Sequence, residues 1–228
     1  MKVSLVIPVY NEEKYIEKCL MSVKDQEEKP DEVIIVDNNS TDNTILIAKK
    51  FGVRILKETK QGITPTRNKG FNNAKYDIIA RCDADSILPS DWIKKIKENF
   101  KTHNIDALTG LGVVYDLIPG QNISYKPYFD FVKLIQNGKE TLWGPNMAIK
   151  RSVWNKVKNE LCMNDKEVHE DIDLAIHVLK NKGKILRDDS LVVKVSSRRL
   201  KYHTLSLLVE YPYRMIKTYK HHSSGKIF

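Results

Sequence analysis

Asp83 and Asp85 stand one residue apart in "IARCDADS", residues 79–86, at the end of an apolar run. Hard divalent cations take oxygen ligands. Mg²⁺ or Mn²⁺ is typically held by one or two carboxylates together with substrate phosphates. Two aspartates on one bend can supply that chemistry, one binding a metal and the other metal, water or a ribose. An acidic turn closed by Ser86 is the plainer alternative. Cys82 alternates with the aspartates, so it faces the other side of the strand as a small core residue. Asp37, in "VDNNSTDNT", closes another apolar run. Its carboxylate can accept from a base N–H or a ribose hydroxyl, or cap the helix that follows. Arg67, in "TPTRNKG", can offer a planar fork of donors to a phosphate, or lie solvated at the surface. His169-Glu170-Asp171 opens a helix. Acidic side chains there complement the helix dipole, and one can also take a proton from a hydroxyl.

The elements that must position these residues follow from hydrophobic spacing. Residues 3–9, 32–37, 53–56 and 77–81 read as buried strands. Residues 12–26, 40–50, 64–75 and 89–100 between and after them have helical spacing. Continuous apolar strands alternating with helices indicate a parallel sheet covered on both faces. Ligands of such sheets bind beyond the carboxyl ends of the strands, where Asp37, Asp83 and Asp85 all lie. Further on, 107–117 and 144–149 read as strands, 125–136 and 169–182 as helices, and 184–195 as strand.

The chain has 228 residues, 41% hydrophobic and 29% charged, enough for one sizeable domain with a short appendage. A net charge of +9 suggests an anionic partner. Three scattered cysteines, Cys19, Cys82 and Cys162, form no C-x-x-C pair, which argues against a zinc cluster or disulfide framework and for a reducing compartment. A strand beginning near Met1 leaves no leader segment in the reading, and no apolar run reaches the ~20 residues that span a bilayer.

Together these segments resemble the family 2 glycosyltransferases. "SLVIPVYNEEKYIEKCLMSV" is similar to the opening strand, P-x-Y-N-E turn and first helix of that family. "DEVIIVDNNSTDNT" is similar to its second strand and turn, and "GITPTRNKGFNNAKYDIIARCDADS" to its arginine helix and D-x-D strand. "LWGPNMAIKRSVW" and "HEDIDLAIHVLKNKG" are similar to its later glycine–asparagine and E-D segments. The resemblance spans residues 1–195. It implies an α/β, GT-A fold: a mostly parallel central sheet flanked by helices, doubly wound and nucleotide-binding, with a short basic C-terminal extension. The implied catalytic domain is 1–195, with 1–105 the nucleotide-binding half, 106–195 the acceptor-binding half, and 196–228 a basic, aromatic extension.

The resemblance also implies roles. Pro8, Tyr10 and Glu12 would frame the nucleoside and Asp37 hold the base. Arg67 would steady base or diphosphate. Asp83 would contact ribose or metal, and Asp85 would ligate Mg²⁺ or Mn²⁺. Gly144 and Asn146 would line the donor-sugar and acceptor pocket. Asp171 would be the catalytic base, with Glu170 positioning the acceptor. The implied reaction is metal-dependent, inverting transfer from a nucleotide-diphospho-sugar, UDP favoured over GDP, to a glycan or lipid-linked acceptor. The arginine helix departs from the family's usual small residue before the arginine, and no Q-x-x-R-W motif follows, which favours single addition over processive synthesis.

In the extension, Arg198 and Arg199 read as a diphosphate clamp and His203 as an extra metal ligand. Residues 205–219 read alternatively as a peripheral contact with an anionic membrane or as a helix packed on the domain. The expected location is the cytoplasm or the inner face of the plasma membrane. Two rival readings stand beside this one. A nucleotidyltransferase would need a Gly-rich phosphate loop where "PVYNEEKY" stands. A nucleic-acid-binding module would need a recognised motif beyond the net charge, and no nucleic-acid partner is expected.

Overall fold

Strand β1 (Val3–Val9) is buried at every position, which is why its sequence is a continuous apolar run. The computed structural model describes residues 1–118, 121–198 and 211–223. β1 runs parallel to β2 (Glu32–Asp37) on one side and to β4 (Ile78–Arg81) on the other. β3 (Arg54–Lys57) continues the parallel set beyond β2. The second half of the chain joins through β8 (Met147–Lys150), antiparallel to β4. β6 (Ala107–Ile118) pairs antiparallel with β8 and parallel with β9 (Ile185–Val195). The short β5 (Ser86–Ile87) pairs with β9, and β7 (Gln121–Ser124) folds back on β6. One mixed sheet therefore carries both halves, in the order β3-β2-β1-β4-β8-β6-β9-β5.

Alternate residues of β1 feed two cores. Val3, Leu5, Ile7 and Val9 pack with α1 (Ile16–Lys24) and α4 (Trp92–Thr102). Val6, with Ile34 and Val36, packs with α3 (Ile63–Asn73), α6 (Arg151–Val157) and α7 (Glu170–Lys180). Trp92 anchors the first core and Trp154 the second, both fully buried. Truncating either ring costs about 3–5 kcal/mol. Phe71 meets Trp154 edge to face at 5.1 Å.

α1, α2 and α4 begin later than hydrophobic spacing predicts. α1 starts at Ile16 because Tyr15 and Ile16 donate to the Glu12 carbonyl, which spends residues 12–15 on a turn. α2 (Thr44–Lys49) likewise starts after an Asp42 side-chain bond to the Thr44 N–H. Residues 144–146, expected in a strand, form a 3₁₀ turn. β5, β7 and α6 are too short to show a period.

α5 (Lys126–Ile135) lies beyond the β7 hairpin, and α8 (Tyr211–Ser223) closes the described chain. α8 packs on the domain: Gln136 Nε2 donates to the Tyr219 hydroxyl at 2.6 Å, and Arg214 Nη2 to the Val168 carbonyl at 3.1 Å. Burial pushes the Tyr219 phenol up to about 12.

Candidate active site

The turns after β1 and β2 are sewn together. Asn11 Oδ1 accepts from the Thr41 N–H at 2.8 Å, and the Asn11 N–H donates to Ser40 Oγ at 3.1 Å. The Glu12 N–H donates to Thr44 Oγ1 at 2.7 Å. Asn11 and Asn39 take positive φ, a conformation that asparagine tolerates. Val9 turns its carbonyl to the β2 side, where Asn38 N–H meets it at 2.9 Å. Pro8 therefore faces the β4 side. The β1–β4 ladder stops at Val6 and Arg81, so the missing N–H of Pro8 costs no ladder bond. Beyond that point β1 and β4 no longer pair, and the gap between the turns that follow them is the candidate crevice. Asp37 stands on its β2 side, nearly buried, with one oxygen bound to the Ser40 N–H at 2.9 Å. Tyr10 is half-exposed at the mouth.

The Asp83-Ala84-Asp85 turn lies on the opposite, β4 side, closed by Ser86 N–H to the Asp83 carbonyl at 3.1 Å. Cys82 is fully buried beneath it, and its contact with Cys19, together with burial, pushes its thiol well up, which disfavours the reactive thiolate. The turn is wired inward by a residue to which sequence reasoning gave no role. Arg81 Nη2 bridges Asp83 at 3.1 Å and its Nη1 bridges Glu170 at 2.5 Å. The other Glu170 oxygen takes Arg67 Nη1 at 2.5 Å. Asp83, Arg81, Glu170 and Arg67 thus form a chain of alternating charge from crevice to core. Burial opposes the charge on Arg81, yet Glu170 and Asp83 outweigh it and hold the guanidinium above its ordinary value. A signal was present: an arginine ending a buried strand must find partners.

Asp171 sits one residue past this chain and is itself buried. Oδ2 accepts from the Gly144 N–H at 3.0 Å, and Oδ1 from the Ile172 N–H at 2.9 Å and the His169 ring. Burial alone would raise its carboxyl. The His169 ring, the Gly144 N–H and Arg81 outweigh burial and hold it well below the usual carboxylate range. An unfolded aspartate titrates near ~3.9, so acid protonates the unfolded chain first. The stabilisation tied to this shift is present above about pH 4 and lost as pH falls further. The stability gap between wild type and Asp171→Asn, measured by thermal unfolding, is expected to shrink below about pH 4. A gap that widens there would contradict the assignment.

Gly144 is required by close approach. A Cβ on it would lie 2.6 Å from Arg81 Nη2 and 2.8 Å from its Cζ. Gly144→Ala must therefore push Arg81 off Glu170 or lift the turn off Asp171. We expect a loss of about 1–3 kcal/mol by urea unfolding, together with reduced turnover.

Three of the expected pocket residues have their polar atoms engaged inside the protein. Arg67, expected to reach base or phosphate, is fully buried, donates to the Glu170 side chain and carbonyl and to Asn68 Oδ1, and lies 5.8 Å from the Trp154 ring. It braces Glu170. Asn146, expected to line the pocket, spends its amide on Trp92 Nε1 at 2.8 Å and on the Leu111 and Leu191 carbonyls at 2.9 and 2.7 Å. It is a strut beneath the pocket, and Gly110 leaves room for it. Glu170, expected to position the acceptor, has both oxygens committed to arginines. Gly144 contributes its backbone N–H. Arg199 and His203 lie outside the described residues.

Arg198 is placed at the crevice. Its Nε meets Asp85 at 2.9 Å, and its two terminal nitrogens grip both Glu12 oxygens at 2.5 Å. The guanidinium also lies 4.9 Å from the Tyr15 ring. Burial raises the Glu12 carboxyl, and Arg198 only partly offsets it. The crevice thus brings Glu12, Asp83 and Asp85 to one wall, with a guanidinium already answering their charge. This all-oxygen donor set suits Mg²⁺ or Mn²⁺.

A sequence model described as glycosyl transferase family 2 matches residues 4–158. The chain belongs to this family. The chain is 27% identical over 169 residues to glycosyltransferase GlyA of Streptococcus pneumoniae, covering 68% of this chain and 24% of that one. The chain spans between about a quarter and three-fifths of the lengths of the first curated relatives it matches. Its fold matches a mannosyltransferase from Pyrobaculum calidifontis solved with GDP-Man and Mn²⁺, at a TM-score of 0.78 and 17% identity, over 99% of this chain and 65% of that one. Glucosyl-3-phosphoglycerate synthase from Mycobacterium tuberculosis, solved with Mn²⁺, UDP and glucosyl-3-phosphoglycerate, matches at 0.65 and 18% identity, over 93% and 79%. The expected α/β, GT-A architecture is therefore found. No helix among the described residues is long and apolar enough to cross a membrane.

Proposed function

We infer that this glycosyltransferase moves a sugar from a nucleotide-diphospho-sugar to an acceptor hydroxyl or lipid phosphate, with inversion at the anomeric carbon, in cell-surface glycan or glycolipid synthesis. The observation that carries this reading is the buried connection between two carboxylate stations. The Asp83–Asp85 turn faces the crevice, and Arg81 and Glu170 tie it to the helix that presents Asp171. A leaving group and a proton acceptor can thereby be held in fixed register.

In this reading the base enters between the β1 and β2 turns, beside Pro8 and Tyr10, and the uncommitted Asp37 oxygen accepts its ring N–H. Uracil and guanine both offer that donor, and a UDP-sugar is favoured. Asp85 and Asp83 would hold Mg²⁺ or Mn²⁺, which would supply positive charge to the departing diphosphate. Arg198 leaves Asp85 and Glu12 and turns its fork to the phosphates. The acceptor oxygen forms its bond to the anomeric carbon as the carbon–diphosphate bond breaks. The acceptor proton passes to Asp171 Oδ2, which takes one bond from the Gly144 N–H and keeps a lone pair. The His169 ring and the Ile172 N–H hold Oδ1 still, so the carboxylate need not reorient. The solved neighbours' GDP-Man, UDP and Mn²⁺ support the donor and metal assignments. Exposed Tyr213 and Ile216 on α8, with Lys217 next to Ile216 in the chain, support an inner-face membrane contact with a lipid-linked acceptor.

Incubation with UDP- and GDP-sugars in Mn²⁺ tests this. We expect nucleoside diphosphate release from one donor class and, by NMR, a product whose anomeric configuration is opposite to the donor's. Retention of configuration, or no release from any donor, would overturn the reading.

A further inference from the structure

On the far side of α7 from Asp171, three buried side chains converge that the transfer chemistry does not use. Asp173 and His177 are four residues apart on α7, hence on one face, and His222 reaches them from α8. They are 0%, 7% and 4% exposed. His222 Nε2 lies 2.7 Å from Asp173 Oδ1, and His177 Nε2 lies 3.7 Å from the same oxygen. One ligand atom from each residue falls within 4.8 Å of the others. Tetrahedral zinc, with bonds of about 2.0–2.1 Å, needs its ligand atoms about 3.3 Å apart, so closing around a cation takes only small side-chain shifts. We propose that Asp173, His177 and His222 form a second metal site, for Zn²⁺ or a similar borderline transition cation, that pins α8 to the catalytic helix.

The surroundings are those of a ligand set. Glu160 Oε2 engages His177 Nδ1 at 3.0 Å, which directs the Nε2 lone pair inward, the usual carboxylate–histidine arrangement behind a metal. The Cys162 N–H holds Asp173 Oδ2 at 3.1 Å and leaves Oδ1 to face the two rings. Two imidazoles and one carboxylate suit zinc better than the all-oxygen set at Asp83 and Asp85 suits it. His222 must change tautomer on loading. Its Nδ1 now accepts from Lys180 Nζ at 3.0 Å, because an ammonium can only donate. With Nε2 on the metal, the ring proton moves to Nδ1 and the exposed Lys180 swings into solvent, so no net proton is released. The site has a structural consequence. Thr218, one turn before His222, accepts the His169 N–H at 2.7 Å, and His169 is the ring that holds Asp171. Fixing α8 therefore steadies the start of the catalytic helix.

The test uses the full chain carrying Asp85→Ala, so that cation binding at the crevice does not contribute. After chelator stripping, one equivalent of Co²⁺ is expected to give the visible d–d bands of a tetrahedral site, and Zn²⁺ to displace it. Saturating Zn²⁺ is expected to raise Tm by about 5 °C. His177→Gln and His222→Gln are each expected to abolish the bands and the shift. Absence of tetrahedral bands in the Asp85→Ala chain, or bands that survive both histidine substitutions, would overturn the proposal. If a histidine variant fails to fold, the Asp85→Ala spectrum decides alone.

Discussion

Asp171→Asn is expected to lower kcat for sugar transfer by about 10²–10⁴-fold and to leave nucleotide binding unchanged. The substitution keeps size and shape. The amide oxygen can still accept from Gly144 N–H or Ile172 N–H, but the amide nitrogen then sits where the other oxygen served as acceptor. What is lost is a negative charge and a lone pair for the incoming proton. The Asp83–Asp85 turn is held by Arg81 and Arg198, neither of which depends on Asp171 for its position, so donor affinity should persist. Steady-state kinetics with separate nucleotide titration read the two effects. Full activity in Asp171→Asn would mean that another group takes the proton.

Arg81→Met is expected to be among the most destabilising single changes, at about 3–5 kcal/mol by urea unfolding. Methionine fills much of the volume, so the cost is electrostatic. Glu170 is nearly buried and would keep only Arg67 as a partner, and Asp83 would lose its inward tether. Adding Glu170→Gln to Arg81→Met should recover part of the loss, because it removes a charge left half-compensated. A loss of under about 1 kcal/mol would show that the alternating chain carries little of the stability.

The parallel half of the sheet was legible because its strands are buried on both faces and so read as unbroken apolar runs. Asp37, Asp83 and Asp85 could be placed at a crevice because each ends such a run. Cys82 was legible as core for the same reason of alternation. The inner wiring was not. Arg67 looked like a phosphate ligand because a guanidinium's chemistry is the same whether it faces solvent or Glu170. Only the tertiary distance between α3 and α7 decides the matter. Asn146 was misplaced because an amide in a Gly-Pro-Asn turn reads as a ligand contact until three partners claim it. The Asp173–His177–His222 cluster joins residues 45 positions apart in the chain across two helices, and no local spacing announces it.

The central claim is that the crevice beyond β1 binds a nucleoside diphosphate with a divalent metal held by Asp85. Thermal unfolding of wild type and Asp85→Ala with UDP, GDP, dTDP and CDP, each with and without Mn²⁺ or Mg²⁺, tests it most directly. The expected result is a Tm rise with one of UDP and GDP that is larger when metal is present, and loss of that metal-dependent part in Asp85→Ala. No stabilisation by any nucleotide, or a metal-dependent rise that Asp85→Ala leaves intact, would contradict it.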